Sequence, residues 1–301
     1  MVQRELRYAL VDLDNQTWDV KGVCADNFGT WGTYLHELRF WWEIDPTLVV
    51  LTTGVLTGTG APGTGAMTWC YLGKNGTVCT PAAEGRLGAY LRYAGVDAIL
   101  FLNRSDQRCC VTVDNGALEL TSPQMDELSL LANRKNEDAV IATVAQNAVL
   151  EDKYFAIAGK DVASRLRSKG VEGLFVEDTG ILPVADPETV ASLCTEFWQT
   201  VSRSGCPRQS GRQHPAYFLS PDHTAAFESR PVYENPEESG EDAMYAALGI
   251  LWSQAMEQCS RKLYTAKLIT ACTGVPCTEE DLDALNKYLV QLRQKKVGGE
   301  A

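Results

Sequence analysis

Glycine and threonine dominate one stretch of the chain, residues 51–69, which reads LTTGVLTGTGAPGTGAMTW. Glycine tolerates positive φ angles and lets another molecule approach the backbone closely, so such a run suits a loop that holds a ligand. The alternative is an ordinary surface connection between two strands, because glycine and proline mark turns of every type. The stretch contains no G-x-x-x-x-G-K-[ST], and no G-x-G-x-x-G that opens a helix, so neither common phosphate loop is indicated. A loop that binds a ligand through its backbone is the first candidate site.

Cysteine is the second residue type that could do chemistry. The ten cysteines are scattered and include no C-x-x-C pair, which gives no indication of a zinc ribbon or a thioredoxin-like site. Without an export signal we expect reduced thiols, most of them small buried hydrophobes. Cys206 lies between Arg203 and Arg208, whose charges would lower its pKa and make it reactive. The alternative is an exposed thiol without a role in a loop.

The three histidines indicate no site on their own. His36 lies in an aromatic helical segment and is interpreted as structural. His214 and His223 lie on either side of Asp222, but the sequence around them shows no further metal ligand. No G-x-S-x-G nucleophile elbow is present. The catalytic residues, if there are any, therefore stay unknown at this stage.

The elements that position these residues divide the chain into a β-rich first two-thirds and a helical last third. Strands are predicted on both sides of the glycine-rich stretch, over LVVLTTG before it and over Met67–Leu72 after it. A linker is predicted over 205–242, which is rich in Pro, Ser, Gly, Arg and Glu. Apolar spacing predicts helices over 31–42, 85–94, 160–169, 188–204, 243–263 and, behind a Thr278 N-cap, up to Leu292.

Length and charge exclude several classes of protein. The 301 residues, 45% of them hydrophobic, suffice for one large domain or two modest ones. The formal net charge of −12 argues against nucleic acid or an anionic membrane as a partner. The start, MVQRELRYALVDLD, lacks the apolar region of a signal peptide, and no run approaches 18 apolar residues. We therefore expect a cytoplasmic protein without membrane spans.

Four segments, in the same order, resemble the aldehyde ferredoxin oxidoreductases: LTGTGAP with Gly65, EGRLGAYLRYAGVDAIL, GILPVADPETV and TACTGVPCTEEDLDAL. Those proteins are tungsten or molybdenum enzymes that carry a bis-pyranopterin and a [4Fe–4S] cluster. The resemblance implies an α+β fold: a two-sheet, β-rich amino-terminal domain over 1–190, a linker over 191–243 and a helical remnant of the carboxy-terminal domains over 244–301. It also implies a pterin cradle made by the backbone of Gly58, Thr59, Gly60, Ala61, Pro62, Gly63, Gly65, Gly85 and Gly88.

The charged pterin ligands of that family are replaced in this sequence. The family arginine after the Ala-Pro pair falls on Ala66, the Arg-Gly pair falls on Trp31-Gly32, and the asparagine before the next helix falls on Ala82. Lys74 or Arg86 is a candidate substitute. A later glycine-rich segment of the family has lost three glycines here but keeps Ser168-Lys169.

The family's cluster ligands are also replaced. Of its C-x-x-C-x-x-x-C pattern only Cys206 remains, as a vestigial position, because the flanking ligands fall on Arg203 and Ser210. The late cysteine falls on Leu251. A [4Fe–4S] cluster generally needs four protein ligands, so we expect none in the protein purified alone. The family's acid/base Glu and His lie in middle domains that this chain is too short to contain whole.

These departures predict a shortened, degenerate relative of the family: a pseudoenzyme that serves as a partner or scaffold subunit, or binds a ligand in the old pterin cradle. One alternative is a tungsten- or molybdenum-pterin oxidoreductase of the aldehyde-oxidising type, completed by another subunit. Another is a small-molecule binding module unrelated to pterin. The surface that the missing domains would cover predicts a homodimer or a complex with a larger oxidoreductase subunit.

Overall fold

A computed structural model describes residues 5–24, 29–121, 139–152, 155–177, 182–203, 241–250 and 260–294. Thirteen strands in these residues form two mixed sheets. The strands of the first sheet are β1 (Glu5–Asp12), β2 (Thr17–Cys24), β3 (Val49–Thr53), β4 (Ala66–Leu72), β5 (Val78–Cys79), β6 (Ala82–Glu84) and β7 (Ala98–Leu102). The strands of the second sheet are β8 (Cys109–Asp114), β9 (Ala117–Thr121), β10 (Ala139–Val144), β11 (Val149–Glu151), β12 (Phe155–Ala158) and β13 (Val171–Glu177).

The first sheet has the strand order β2-β1-β7-β3-β4-β5, and β6 also pairs with β4. Strands β1 and β7 run parallel, and the other neighbours are antiparallel. All residues of β3 and β7 are buried, as expected for central strands of a sheet that is covered on both faces. By contrast, β2 is mostly exposed and forms one edge.

The second sheet has the order β12-β11-β10-β13-β8-β9, with β8 parallel to β13. Alternation along β8 points the adjacent Cys109 and Cys110 to opposite faces of the sheet. Cys109 packs in the core between the sheets, and Cys110 packs with Ile141 on the outer face.

Seven α-helices and one short 3-10 helix (Trp31–Tyr34) lie in the described residues. They are α1 (Leu35–Ile44), α2 (Leu87–Tyr93), α3 (Lys160–Ser168), α4 (Pro187–Arg203), α5 (Glu241–Leu248), α6 (Arg261–Thr273) and α7 (Glu279–Gln294). The predicted Thr278 cap is confirmed, because its hydroxyl accepts a hydrogen bond from the Asp281 amide (3.2 Å) and its amide donates to the Asp281 carboxylate (2.8 Å).

Two large hydrophobic clusters lie on opposite faces of the first sheet, which is therefore the central layer. One cluster fills the space between the two sheets together with α2 and α3, and it includes Val11, Trp69 and Leu166. The other packs the first sheet against α1 and α4–α7, and it includes Leu48 and Tyr245. The glycine-rich stretch leaves β3 and returns as β4, so it lies at the end of this central layer.

The predicted fold class is confirmed, but two helical predictions need correction. A continuous helix over 243–263 is wrong, because α5 ends at Leu248 and Gly249 follows with φ +96°. The helix predicted over 31–42 begins with a 3-10 turn and continues as α1 to Ile44. Most of the predicted linker lies outside the described residues, and the division into domains stays a prediction. None of the helices described is long and apolar enough to cross a membrane.

Candidate functional site

The glycine-rich loop, residues 54–65, is a set of turns closed by its own backbone. The Gly58 amide donates to the Thr64 carbonyl (2.7 Å), and the Thr64 amide donates to the Ala61 carbonyl (3.2 Å). Gly58, Gly60 and Gly63 have φ angles of +78°, +77° and +77°, a region that side-chain-bearing residues rarely adopt. These three glycines are therefore required by the path of the loop itself.

Threonine hydroxyls satisfy further polar groups inside the loop. The Thr57 hydroxyl accepts a hydrogen bond from the Gly54 amide (2.9 Å) and donates one to the Ala66 carbonyl (2.7 Å). The Thr64 hydroxyl donates to the Ala61 carbonyl at 2.6 Å. Both threonines are buried. Their hydroxyls thus stabilise the loop, which explains why threonine is interleaved with glycine there.

Two side chains of α2 bind the loop carbonyls from outside. The Arg92 guanidinium donates to the carbonyls of Val55 and Thr57, and its Nε pairs with the Asp97 carboxylate at 3.3 Å. The Tyr93 hydroxyl donates to the Gly58 carbonyl at 2.9 Å. Arg92 is buried, and the sequence analysis missed it. Its only signal was a cation at an otherwise apolar helical position.

A turn from the carboxy-terminal part, residues 248–250, lies directly against the loop. The Leu56 amide donates to the Leu248 carbonyl (2.8 Å), and the Ala66 amide donates to the Gly249 carbonyl (3.2 Å). A Cβ atom on Gly54 would lie 2.1 Å from the Leu248 carbonyl carbon, and one on Gly249 would lie 2.4 Å from the Thr57 amide. Both glycines are thus required by a backbone-to-backbone contact. The loop therefore binds a segment of its own chain, the turn at 248–250.

The remaining predicted cradle residues are divided between packing and exposure. A Cβ on Gly58 would lie 3.1 Å from Ala89, and one on Gly88 would lie 3.2 Å from Met67, so these glycines let α2 approach the loop and β4. Gly60 has nothing within 4 Å of its Cβ position and is the one exposed member of the predicted set. Half-buried members are Thr59, Gly63 and Gly85; buried members are Ala61, Pro62 and Gly65.

A buried carboxylate, Glu151, caps the start of α2. It accepts hydrogen bonds from the amides of Arg86 and Leu87, both at 2.8 Å, and a Cβ on Gly85 would lie 2.5 Å from its Oε2. Burial, with a smaller contribution from the neighbouring Asp152 charge, raises the pKa of Glu151 to about 7. No periodic pattern in the sequence indicates this long-range contact.

Neither suggested substitute for a phosphate ligand is free at the loop. The Arg86 guanidinium pairs with Asp152 at 3.4 Å, donates to the Tyr90 hydroxyl at 3.0 Å and lies over the Tyr90 ring. Lys74 lies exposed on the turn between β4 and β5. Arg86 is therefore part of the contact between α2 and the second sheet.

Of the Ser168-Lys169 pair kept from the family pattern, Ser168 is exposed and Lys169 is buried in the fold. Lys169 Nζ donates to the Asp45 carboxylate (2.7 Å), to the Thr47 hydroxyl (2.9 Å) and to the Asn103 carbonyl (2.8 Å). Burial lowers the pKa of this lysine, and the hydrogen bond from Lys169 helps to lower the pKa of Asp45 despite its burial. The ion pair of Lys169 and Asp45 links the end of α3 to the segment that follows α1.

The residues that replace the family's pterin ligands carry no charged side chain for a phosphate. Ala66, Ala82 and Trp31 are apolar and buried. Within the described residues, no three His, Cys, Asp or Glu side chains come together as a metal site. Burial raises the pKa of the Cys70 and Cys110 thiols to about 12, which favours the protonated form over a metal-binding thiolate. The described residues therefore do not fit the family's cofactors.

Several sequence predictions fall outside the described residues and stay predictions. They concern the reactive or vestigial thiol Cys206, the replaced ligands Ser210 and Leu251, and the pair His214 and His223.

A two-sheet α+β fold organised around a glycine-rich strand connection defines the class of this protein. Residues 8–150 match the family model described as the aldehyde ferredoxin oxidoreductase N-terminal domain. The chain therefore carries an aldehyde ferredoxin oxidoreductase amino-terminal domain, and the family resemblance is confirmed. A search of curated proteins found no match.

One similar solved structure is the active-site complex BamBC of benzoyl-coenzyme A reductase in complex with 1,5-dienoyl-CoA. The TM-score is 0.56 at 18% sequence identity, and the match covers 89% of this chain. It covers only 44% of the other chain, so this chain spans less than half the length of that relative. At this identity the match shows a shared fold.

Proposed function

We propose that this chain is a non-catalytic subunit built on an aldehyde ferredoxin oxidoreductase amino-terminal domain, a pseudoenzyme that supports a larger partner. The observation that carries the proposal is the backbone contact between the glycine-rich loop and the chain's own turn at 248–250. At this contact the amides of Leu56 and Ala66 donate to the chain's own carbonyls, so these two groups are not available to a ligand.

The chemistry of the neighbouring side chains supports the same proposal. A pterin phosphate needs cationic or hydrogen-bonding ligands, and arginine suits it best because its guanidinium binds two oxygens at once. The residues at the family's ligand positions are buried and apolar, while Arg92 and Arg86 are bound to protein groups. These cations hold α2 in place, and α2 in turn holds the loop.

Binding of a different small molecule in the old cradle is a weaker candidate. Gly60, the exposed position of the loop, offers backbone only, and no atom of the described residues lies within 4 Å of its Cβ position. A pterin-unrelated binding module would need a cavity lined by side chains, which Gly60 does not supply. We therefore favour the subunit role.

A larger partner is consistent with the similar structure, which is a complex of more than one subunit. We propose a partner of the oxidoreductase type, without nucleic acid or membrane, in the cytoplasm. An active enzyme completed by that partner is the competing outcome. It predicts that this chain retains tungsten or molybdenum after separation from that partner.

The test is purification of the complex from the native host under anaerobic conditions, followed by metal analysis of the complex and of this chain after separation. We expect a larger subunit to co-purify, and we expect the separated chain to hold far less than one tungsten or molybdenum atom and no cluster iron. About one pterin metal and about four iron atoms per separated chain, with the brown absorbance of a cubane cluster, would overturn the proposal.

A control distinguishes the loss of an iron–sulfur cluster during purification from the absence of its ligands. Reconstitution of the separated chain with iron and sulfide should leave it colourless. A cluster that forms with wild-type protein but not with a Cys206→Ser variant would assign ligands to this chain and favour the active enzyme.

A further inference from the structure

The outer edge of the first sheet is a long exposed strand. In the described residues β2 pairs with β1 alone, and six of its eight residues are exposed. The strand contains no proline, and it presents its unpaired backbone groups over about 27 Å. Natural proteins normally cover or disrupt such an edge, because it is a template for another strand.

The residues of β2 complement a second copy of the same strand. If two copies pair antiparallel about a two-fold axis at Val20, each Asp19 lies opposite the Lys21 of the other copy. The same register places each Trp18 opposite Gly22, where the indole would lie against the Glu5 side chain that covers this glycine. Directly opposed charges and aromatic residues stabilise antiparallel pairs, and an isologous interface needs this reciprocity.

The side chains involved are available for such pairing. The side chains of Asp19 and Lys21 are 66% and 43% exposed, and their own contact within the strand is long, at 3.9 Å. Trp18 is 43% exposed, a large fraction for tryptophan. Successive residues of a strand point to opposite faces, so the two charges share one face and Trp18 lies on the other.

Helix α1 extends the same surface on the face of the charges. Lys21 Nζ lies 5.9 Å from the centroid of the Trp41 ring, which places α1 beside β2. On this helix Phe40 and Ile44 are 53% and 56% exposed and lie one turn apart. A two-fold axis perpendicular to the sheet keeps both copies of α1 on one face, where these side chains add apolar area beside the paired strands.

We propose that two copies of this chain associate through β2, in the register centred on Val20, to form one sheet that continues across the dimer. The inference is independent of the proposed subunit function, because it concerns a different surface and needs no cofactor. A second copy fits this edge better than an unrelated strand, since each copy supplies both members of the charge pairs.

The test compares charge variants by sedimentation at micromolar concentration. Asp19→Lys alone places lysine opposite lysine, and Lys21→Asp alone places aspartate opposite aspartate. We expect each variant to weaken the wild-type dimer at least about tenfold. Lys74→Asp is the matched control, because it makes the same charge change at an exposed turn beyond β4 and should leave the dimer intact.

Mixing provides the decisive measurement. In the proposed register an equimolar mixture of the two variants pairs lysines on one copy with aspartates on the other, so a heterodimer should form. The double variant Asp19→Lys/Lys21→Asp should dimerise with itself. A monomeric wild type, a dimer that neither single variant weakens, or a mixture that stays monomeric would each overturn the proposal. Circular dichroism verifies that every variant is folded.

Discussion

The glycine-rich loop and the β2 edge have opposite relations to the rest of the chain. The loop looks like a binding site in sequence, yet its carbonyls accept from Arg92 and Tyr93 and two of the amides around it donate to the turn at 248–250. The edge looks like an ordinary hairpin strand in sequence, yet it is exposed and has an unpaired side among the described residues. A sequence typical of a ligand loop can therefore serve folding, and the surface that we propose for association lies elsewhere on the molecule.

Gly54→Val gives the sharpest test of the loop. The added Cβ would lie 2.1 Å from the Leu248 backbone, so the turn at 248–250 must move away. We expect a loss of about 4 kcal/mol or more in the free energy of unfolding, measured with urea. Gly60→Ala is the control, because Gly60 has a positive φ but open space around it, and it should cost about 1 kcal/mol. Equal costs would mean that the turn does not contact the loop in solution.

Arg92→Met tests whether the loop depends on its buried cation. The substitution removes the donors to Val55 and Thr57 and the ion-pair partner of Asp97. We expect a loss of about 3 kcal/mol in unfolding free energy, because buried groups lose their partners. The control Arg108→Met removes an exposed partner of Glu172 and should cost less than about 1 kcal/mol. A loss at Arg92 as small as the control would contradict the assigned role.

Much of the fold follows from sequence pattern. The strand predicted over LVVLTTG is β3, and the Thr278 cap identified the start of α7, because these signals are local. The role of the loop could not be read in the same way. Its partners Arg92 and Leu248 are 35 or more residues away from the carbonyl and amide groups that they bind, and glycine permits a backbone contact with a ligand or with the chain itself equally well.

Glu151, which caps the helix that binds the glycine-rich loop, makes the free energy of unfolding depend on pH. Its pKa of about 7 in the folded protein lies above the usual 4.5, so the folded state binds the proton more tightly than the unfolded chain. The contribution to stability is complete below pH 4.5 and is lost as the pH rises through about 7. We expect wild-type unfolding free energy to fall across this window by at most about 1.4 kcal/mol per pH unit.

The variant Glu151→Gln should flatten that slope, because glutamine stays neutral throughout. Glu119→Gln, on the exposed side of β9, is the control and should leave the slope unchanged. Urea unfolding at several pH values and constant ionic strength measures both. A wild-type slope that persists in Glu151→Gln would assign the titration to another group.

The smallest effect on stability is expected at the β2 edge, with Trp18→Thr. The indole is 43% exposed, and threonine suits a strand, so the monomer should lose no more than about 0.5 kcal/mol. Urea unfolding at concentrations below the dimer range measures this, whereas sedimentation at higher concentration should show weaker association, because Gly22 of the other copy loses its aromatic neighbour. A loss near 2 kcal/mol in the monomer would show that Trp18 packs within its own chain. In that case the loop and the β2 edge would not differ in the way described. The largest exposed side chain of the edge would be part of the protein's own core, and would not be available to a second copy.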